Sequence, residues 1–136
     1  MVDVHTPEKR SFNMSRIKSR DTRPEKIVRS IVHRMGYRYS LHKKSLPGKP
    51  DLVLVRHRKI IDVRGCFFHM HPCKYGKVVP ATNSTFWRTK RLSNVNRDRR
   101  NKATLKRDGW QVLTVWECET RHSIRLAKRL AKFLES

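Results

Sequence analysis

The stretch that most constrains this chain is Gly65–Cys73, which reads GCFFHMHPC. It places two cysteines, two histidines and two adjacent phenylalanines within nine residues. Cysteine and histidine side chains bind metal ions, whereas aromatic rings take no part in such coordination. A fold that contains this stretch must therefore hold it in place and must either bury its phenylalanine rings or expose them for binding.

A metal site is the first use that the stretch suggests. Cys66, His71 and Cys73 supply two thiolates and one imidazole from this stretch. The third cysteine of the chain, Cys118, follows a predicted strand and can supply a fourth ligand. An odd number of cysteines argues against a disulfide framework and leaves metal binding or free thiols. Three thiolates and one imidazole form a closed tetrahedral set for zinc, so we predict a structural zinc site. The alternative is buried free thiols beside a surface histidine.

The charge of the chain points to its partner. Lys and Arg number 33 against 11 for Asp and Glu, which gives a formal net charge of +22 over 136 residues. Such a surface repels itself and favours a polyanionic partner, so we predict nucleic acid binding. No long apolar run or basic amphipathic tail dominates, which argues against a membrane. The first residues lack the apolar core of a secretion signal, so we expect a cytoplasmic, nucleoid-associated protein.

The length predicts one domain with one modest core. Residues 1–20 are polar and basic without helical or strand periodicity. They form either a frayed terminus or a basic arm that becomes ordered on DNA phosphates, and we assign them as a DNA-contacting arm ahead of a folded domain over 21–136.

Hydrophobic periodicity and turn signals predict an α/β fold, a mixed central sheet flanked by helices. Thr22, Pro24 and Glu25 carry the capping signals of a helix start, and Gly36 ends that helix. The predicted elements in chain order are a helix over 22–35, a short strand near Tyr37 and Tyr39, a hairpin of strands 51–55 and 60–64, a helix from Thr85 to Gly109 with a potential break near Ser93-Asn94, a strand over 110–116 and a helix over 123–134.

Two carboxylates lie at the ends of the predicted hairpin. Asp51 opens the first strand and Asp62 lies near the end of the second, so the two side chains can meet at one end of the hairpin. Carboxylate oxygens with a backbone carbonyl form a hard site suited to Mg²⁺. On spacing alone, an aspartate that caps a turn and a surface salt bridge explain the same residues better, and the scarcity of acidic residues in so basic a chain shifts the balance only somewhat towards a metal site.

Eight blocks spread over nearly the whole chain carry a family resemblance. They are Asn13–Ile17, Asp21-Thr22-x-x-Glu25, Leu46-Pro47-Gly48-x-Pro50-Asp51, Gly65–Cys73, Pro80–Thr82, Phe86-Trp87, Asn94-Val95-x-Arg97-Asp98 and Val115–Cys118. On these blocks the chain resembles the very-short-patch repair mismatch endonuclease family. The pattern Pro50-Asp51…Asp62-x-Arg64 also resembles the PD-(D/E)xK nuclease signature, with arginine where lysine is usual.

The resemblance implies a single restriction-endonuclease-like domain over 21–136. It also implies an enzyme that uses Mg²⁺ to nick one strand of double-stranded DNA beside the thymine of a T·G mismatch, and we expect a monomer. Asp51 would be the main Mg²⁺ ligand, helped by the backbone carbonyl of Val63. His69 would serve the proton chemistry and Glu25 would support the site from the first helix.

The remaining family positions concern zinc and DNA. The residues that match the structural zinc ligands are Cys66, His71, Cys73 and Cys118. Those that match intercalating aromatic side chains are Phe67, Phe68 and Trp87, while Lys90 and Asn94 fall in the segment that meets the mismatched pair. Without the resemblance, the phenylalanines would be read as core residues and His69 as a surface histidine.

Three positions depart from the family pattern. Phe68 replaces a tryptophan, Asp62 replaces a residue that is often apolar, and Arg64 replaces a histidine or an acidic residue. Arginine stays protonated, so Arg64 cannot act as a base, but it can offset charge on the phosphate. Our hypothesis is that Asp62 and Arg64 compensate each other. Two alternatives stay open: a zinc-stabilised DNA-binding protein that does not cut, and a nuclease of this fold that cuts fully paired DNA.

Overall fold

A computed structural model describes residues 21–136, and the predicted arm over 1–20 lies outside the described residues. One four-stranded sheet has the order β1-β2-β3-β4, with antiparallel pairs β1–β2 and β2–β3 and a parallel pair β3–β4. The elements in chain order are α1 (Arg23–Arg34), β1 (Ser40–Leu41), β2 (Leu52–Leu54), β3 (Lys59–Arg64), α2 (Ser84–Arg107), β4 (Gln111–Trp116) and α3 (Ser123–Glu135), with 3₁₀ turns at Val55–His57 and Glu117–Arg121. The prediction of an α/β fold with a mixed sheet is confirmed.

Helix α1 begins where the capping signals predict. The Thr22 side chain accepts a hydrogen bond from the Glu25 amide at 3.4 Å. The Glu25 carboxylate accepts one from the Asp21 amide at 2.8 Å, so it reaches one residue further back than an ordinary capping box. Gly36 follows the helix with φ +90°, a value that a glycine adopts without strain.

The predicted hairpin is confirmed with shorter bounds. Strands β2 and β3 pair with Leu52 opposite Ile61 and Val53 opposite Ile60. The prediction that the first strand extends to Val55 was wrong, because the chain already enters the 3₁₀ turn there. The short strand predicted near Tyr37 and Tyr39 lies slightly later, at β1, because both tyrosines pack against the core instead.

The sheet is covered on both faces. On one face, α1 and α3 pack their apolar stripes, including Val28, Val32 and Leu130, against Leu52 and Ile61. On the other face a smaller cluster joins Val53, Ile60, Leu105 and Trp110. Leu105 is the only α2 residue in this smaller cluster, so α2 contributes little to the core.

Helix α2 runs without interruption over 24 residues, so the predicted break near Ser93-Asn94 was wrong. An asparagine breaks a helix when its side chain competes for nearby backbone groups, but the Asn94 amide instead donates to the Phe68 carbonyl at 3.0 Å. The helix begins at Ser84, one residue before the predicted cap, and its only buried residues are Arg91 and Leu105. Most of its basic surface is therefore available to a partner. Across residues 21–136, no helix has the length and apolar character needed to cross a membrane.

Candidate active site and metal centre

The four predicted zinc ligands come together in the structure. Cys66, His71, Cys73 and Cys118 each offer one ligand atom, and these atoms all lie within 4.8 Å of one another. The parallel pairing of β3 and β4 explains why, since Arg64 lies opposite Trp116 and each cysteine follows two residues later. The Cys118 amide donates to Cys66 Sγ at 3.4 Å. This set can hold a metal ion.

The loop after β3 presents His71 to this cluster. The His71 amide donates to the Cys66 carbonyl at 3.0 Å, and the imidazole ring stacks on Trp116 with centroids 4.2 Å apart. Burial raises the pKa of the Cys66 thiol to about 12, so a bound cation is what would stabilise its thiolate. Three sulfur ligands and one imidazole suit a tetrahedral ion in a closed site without an open position for substrate.

A carboxylate cluster lies beside this centre, at the start of β2. The Val63 amide donates to Asp51 Oδ2 at 2.6 Å. The pKa of Asp51 is raised to about 7, mainly by burial and also by the nearby Asp62 and Glu25 carboxylates, although the Val63 hydrogen bond and Arg64 oppose this increase. A raised pKa means that the charged form of Asp51 is unfavourable in the free protein, so a bound cation would stabilise this carboxylate strongly.

Glu25 reaches this cluster from α1 and is 3% exposed. Its carboxylate receives hydrogen bonds from Arg29 at 3.0 Å and from the Asp21 amide, and it lies 3.2 Å from His42 Nε2. His42 Nε2 also lies 3.6 Å from Asp51 Oδ1, so this ring stands between two carboxylates. Neither His42 nor Arg29 falls in a recognisable sequence motif, and the carboxylates around His42 lie on other elements, so no role was predicted for either residue.

A second set of charges runs from β3 to α2. The Arg64 guanidinium lies 3.1 Å from Asp62 Oδ2 and 3.2 Å from Asp98 Oδ1, while the other Asp98 oxygen contacts His69 Nδ1. Asp62 is 6% exposed; burial raises its pKa, and Arg64 and the Asp51 amide lower it. Asp98 carried a sequence signal, since it closes one of the family blocks, but no role was assigned to it.

Aromatic rings form the adjacent wall. Phe67 and Phe68 have ring centroids 5.4 Å apart, and Trp87 lies 5.5 Å from the first ring and 6.1 Å from the second. Trp87 also makes an edge contact with the exposed ring of Phe86. The structure thus groups all three predicted intercalating side chains, two from the loop after β3 and one from α2.

One cleft of about 640 Å³ joins most of the predicted site residues, and we call it the aromatic cleft. It lies next to Asp51, whose partners Glu25 and Val63 both line it. Eight of the residues that line it were predicted from the sequence as site residues: Glu25, Val63, Arg64, Phe67, Phe68, His69, Lys90 and Asn94. Carboxylates, an imidazole, an arginine and aromatic rings therefore face one space, which is an arrangement that can bind and hydrolyse a phosphodiester.

Arg91 connects α2 to the loop after β3 that carries Phe67 and Phe68. No role was predicted for it from the sequence. It is 5% exposed, and its guanidinium donates to the carbonyls of Phe67 at 2.6 Å, of Val78 at 3.0 Å and of Gly76. The same group lies over the Phe67 ring, 4.4 Å from the centroid. Among many exposed arginines on α2, nothing in the sequence distinguishes this buried one.

Comparison with known proteins identifies the family. A family model described as DNA mismatch endonuclease Vsr matches residues 2–75. The type II nicking enzyme V.XorIIP of Xanthomonas oryzae pv. oryzae is 42% identical over 99% of this chain and 98% of its own length. The corresponding enzyme V.NmeAIP of Neisseria meningitidis serogroup A is 37% identical over 98% of this chain and 95% of its own.

A third relative carries the name of the family itself. The DNA mismatch endonuclease Vsr of Escherichia coli K12 is 46% identical over 89% of this chain and 77% of its own length. These matches agree with the cleft, which combines acidic groups, an imidazole and aromatic rings on a strongly basic protein. The chain belongs to the DNA mismatch endonuclease Vsr family and is a DNA endonuclease.

Proposed function

We propose that this endonuclease nicks one strand of double-stranded DNA beside the thymine of a T·G mismatch, by Mg²⁺-dependent hydrolysis, and so initiates very short patch repair. The observation that carries the proposal is the aromatic cleft, in which the rings of Phe67 and Phe68 adjoin Glu25, Arg64 and His69. The side chains that would recognise a distorted base pair and those that would hydrolyse the phosphodiester then lie on one surface. The E. coli relative, named a DNA mismatch endonuclease, supports the same reading.

The metal-dependent part of the proposal rests on Asp51. Together with the Val63 backbone carbonyl it would hold Mg²⁺, an ion that binds a few protein oxygens and completes its shell with water and substrate phosphate. When bound, this ion supplies charge stabilisation at the phosphate and a more acidic water. Asp51 itself is preorganised by the Val63 amide at 2.6 Å, and Glu25 and His42 border its other side.

His69 and Arg64 would act on the scissile phosphate. Asp98 engages His69 Nδ1, so Nε2 remains for the reacting oxygen, and His69 takes a proton from the attacking water or gives one to the leaving oxygen. Arg64 stays positively charged and would offset negative charge on the phosphate in the transition state. Asp62 adds a second carboxylate and holds Arg64 at 3.1 Å, which supports the hypothesis that these two residues compensate each other.

The mismatch would be read by the aromatic wall. A T·G pair is weakly stacked, so insertion of Phe67, Phe68 and Trp87 beside it costs less than at a Watson–Crick pair. Lys90 and Asn94 would meet the mismatched pair. Zinc held by Cys66, His71, Cys73 and Cys118 would be structural, because four protein ligands leave no open position.

The remaining expectations complete this proposal. The arm over 1–20 and the basic face of α2 would bind the DNA backbone through phosphate contacts. The enzyme would act as a monomer with a restriction-endonuclease-like fold, on nucleoid DNA in the cytoplasm. The overall charge of +22 supports the DNA part of this picture.

A nicking assay tests the proposal. Labelled duplexes that differ only in one T·G or T·A pair are incubated with enzyme and Mg²⁺, and strand-specific products are resolved. We expect a nick beside the mismatched thymine, dependence on Mg²⁺, and loss of product with retained binding in Asp51→Ala. The exposed Asp108 gives a matched control, since Asp108→Ala removes the same group outside the cleft.

Two outcomes would contradict the proposal in different ways. Equal nicking of T·G and T·A duplexes would indicate a nuclease of fully paired DNA. Tight binding to the mismatch without any product would indicate a DNA-binding protein that does not cut, and Arg64 would then be the first residue to revert to histidine.

A further inference from the structure

A second cleft adjoins the aromatic cleft, and we call it the lysine cleft. It has a volume of about 560 Å³ and shares some of its lining residues with the aromatic cleft. The residues that line only the lysine cleft are Lys44, Leu46, Gly48, Lys49, Asp98 and Asn101. The shared residues are Arg64, His69 and Arg97. A chain lying along both clefts must therefore pass the side chains that we propose act on the scissile phosphate.

The lining of the lysine cleft is strongly cationic. Lys44 and Lys49 are both exposed and Arg97 adds a third positive charge, whereas the charge of Arg64 is already shared with Asp62 and Asp98. The one carboxylate in the lining, Asp98, is already engaged by Arg64 and His69. Among residues 21–136, the only aromatic ring that lines this cleft is the His69 imidazole. The chemistry therefore suits phosphate groups rather than stacked bases.

The turn that carries the lysines is set tightly against α2. A Cβ atom at Gly48 would lie only 2.8 Å from the side-chain nitrogen of Asn101, so a larger residue there would have to displace that side chain. Both Gly48 and Lys49 have positive φ values, +77° and +46°, and the Lys49 amide donates to the Leu46 carbonyl at 3.1 Å. Asp51 follows two residues after Lys49, so the turn is directly connected to the catalytic strand.

We propose that the lysine cleft binds backbone phosphates of the nicked strand on the side of the cut opposite to the mismatch. The inference rests on the proposed function, because it takes the scissile phosphate to lie at His69 and Arg64, between the two clefts. The aromatic cleft holds the mismatch side of the strand, and Lys44 and Lys49 hold the other side. The enzyme therefore grips one strand on both sides of its cut.

The test couples a protein change to a DNA change. Single methylphosphonate linkages, which replace a charged phosphate oxygen with a neutral methyl group, are introduced one at a time on either side of the nick. Wild type and a Lys44→Gln, Lys49→Gln double variant are compared for DNA affinity and single-turnover nicking. The control is Lys128→Gln, Lys132→Gln on α3, which loses the same charge and lines neither cleft.

We expect the double variant to reduce the slope of log affinity against log salt by about two, the release expected for two lost phosphate contacts. At one or two linkages beyond the cut, a methylphosphonate should weaken wild type but cause no further loss in the variant. The same linkages should weaken the α3 control as much as wild type.

Two results would overturn the proposal. The first is an equal loss in the double variant and the α3 control, which would mean that only total charge matters. The second is a coupled linkage on the mismatch side of the nick. Failure of the proposed function is separately visible, because wild type would then nick T·G and T·A duplexes equally while the coupling to a linkage could still be measured.

Discussion

Arg64 and Asp98 form a salt bridge of 3.2 Å that connects the end of β3 to the middle of α2. Because the other oxygen of Asp98 engages His69, the arginine indirectly fixes the orientation of the imidazole. The residue that departs from the family pattern is thus built into the geometry of the site. Its partner on β3, Asp62, is nearly buried and depends on this charge.

The pair Arg64 and Asp62 gives the first prediction. Arg64→Met should lower the free energy of unfolding by about 3 kcal/mol, because it leaves Asp62 buried without its cation. Asp62→Asn combined with Arg64→Met should recover part of that loss. Urea unfolding of the wild type, both single variants and the double variant measures the coupling. Simple addition of the two single effects would show that the residues do not compensate each other.

The raised pKa of Asp51 predicts a pH dependence of stability. Burial raises this pKa from 3.8 to about 7, so the folded state binds a proton more tightly than the unfolded state does. The stabilisation from that proton is complete below pH 3.8 and is lost as the pH rises towards 7, by up to about 4 kcal/mol.

Asp51→Asn isolates this contribution. In buffer containing EDTA, the difference in unfolding free energy between the variant and wild type should increase in favour of the variant from pH 4 to pH 7 and then level off. Denaturant titrations at four pH values measure it. A difference that stays constant with pH would mean that Asp51 titrates normally.

Because Arg91 is buried, its replacement should destabilise the fold far more than replacement of an exposed arginine on the same helix. Arg91→Met leaves the carbonyls of Phe67, Val78 and Gly76 without their donor, so we expect a loss of about 3 kcal/mol or more in unfolding free energy. Arg88→Met is the matched control, since Arg88 is exposed on the same helix. If both variants melted at the same temperature, the buried hydrogen bonds would carry no net stabilisation.

The loop that carries His71 and Cys73 is expected to require glycine at position 76. A Cβ atom there would lie 1.7 Å from the backbone oxygen of His71, so Gly76→Ala must displace the segment that carries a ligand. We expect bound metal, measured by elemental analysis, to fall well below one ion per chain. Gly65→Ala is the control, since its Cβ would meet only Phe68 at an ordinary 3.6 Å. Full metal content in Gly76→Ala would show that the loop adapts.

The sequence was most informative where a pattern is local. The capping residues of α1, the hairpin and the four Cys and His ligands depend on periodicity or on residue type, and each was predicted before the fold was known. The meeting of Cys66 with Cys118 was predicted from residue type and from the position of Cys118 after a strand, whereas the parallel pairing that brings them together is seen only in the structure.

The contacts of α2 with the loop after β3 could not be predicted in the same way. Whether Arg91 is buried and Arg88 exposed depends on where the helix lies against that loop, and the sequence of α2 has too many basic residues to distinguish them. Similarly, Asp98 and His69 are 29 residues apart, and His42 and Glu25 are 17 apart, so their pairing depends on tertiary packing.

The parallel pairing of β3 and β4 also determines how α2 is retained. Cys66 and Cys118 are 52 residues apart and meet at one edge, so they close the neck of a long loop that contains the whole helix. The helix buries little of its own surface beyond Arg91 and Leu105, so the joined ends of this loop add to the attachment that those two residues provide. Most of the basic surface of the helix can therefore stay exposed while both ends of the loop that carries it remain joined to the sheet.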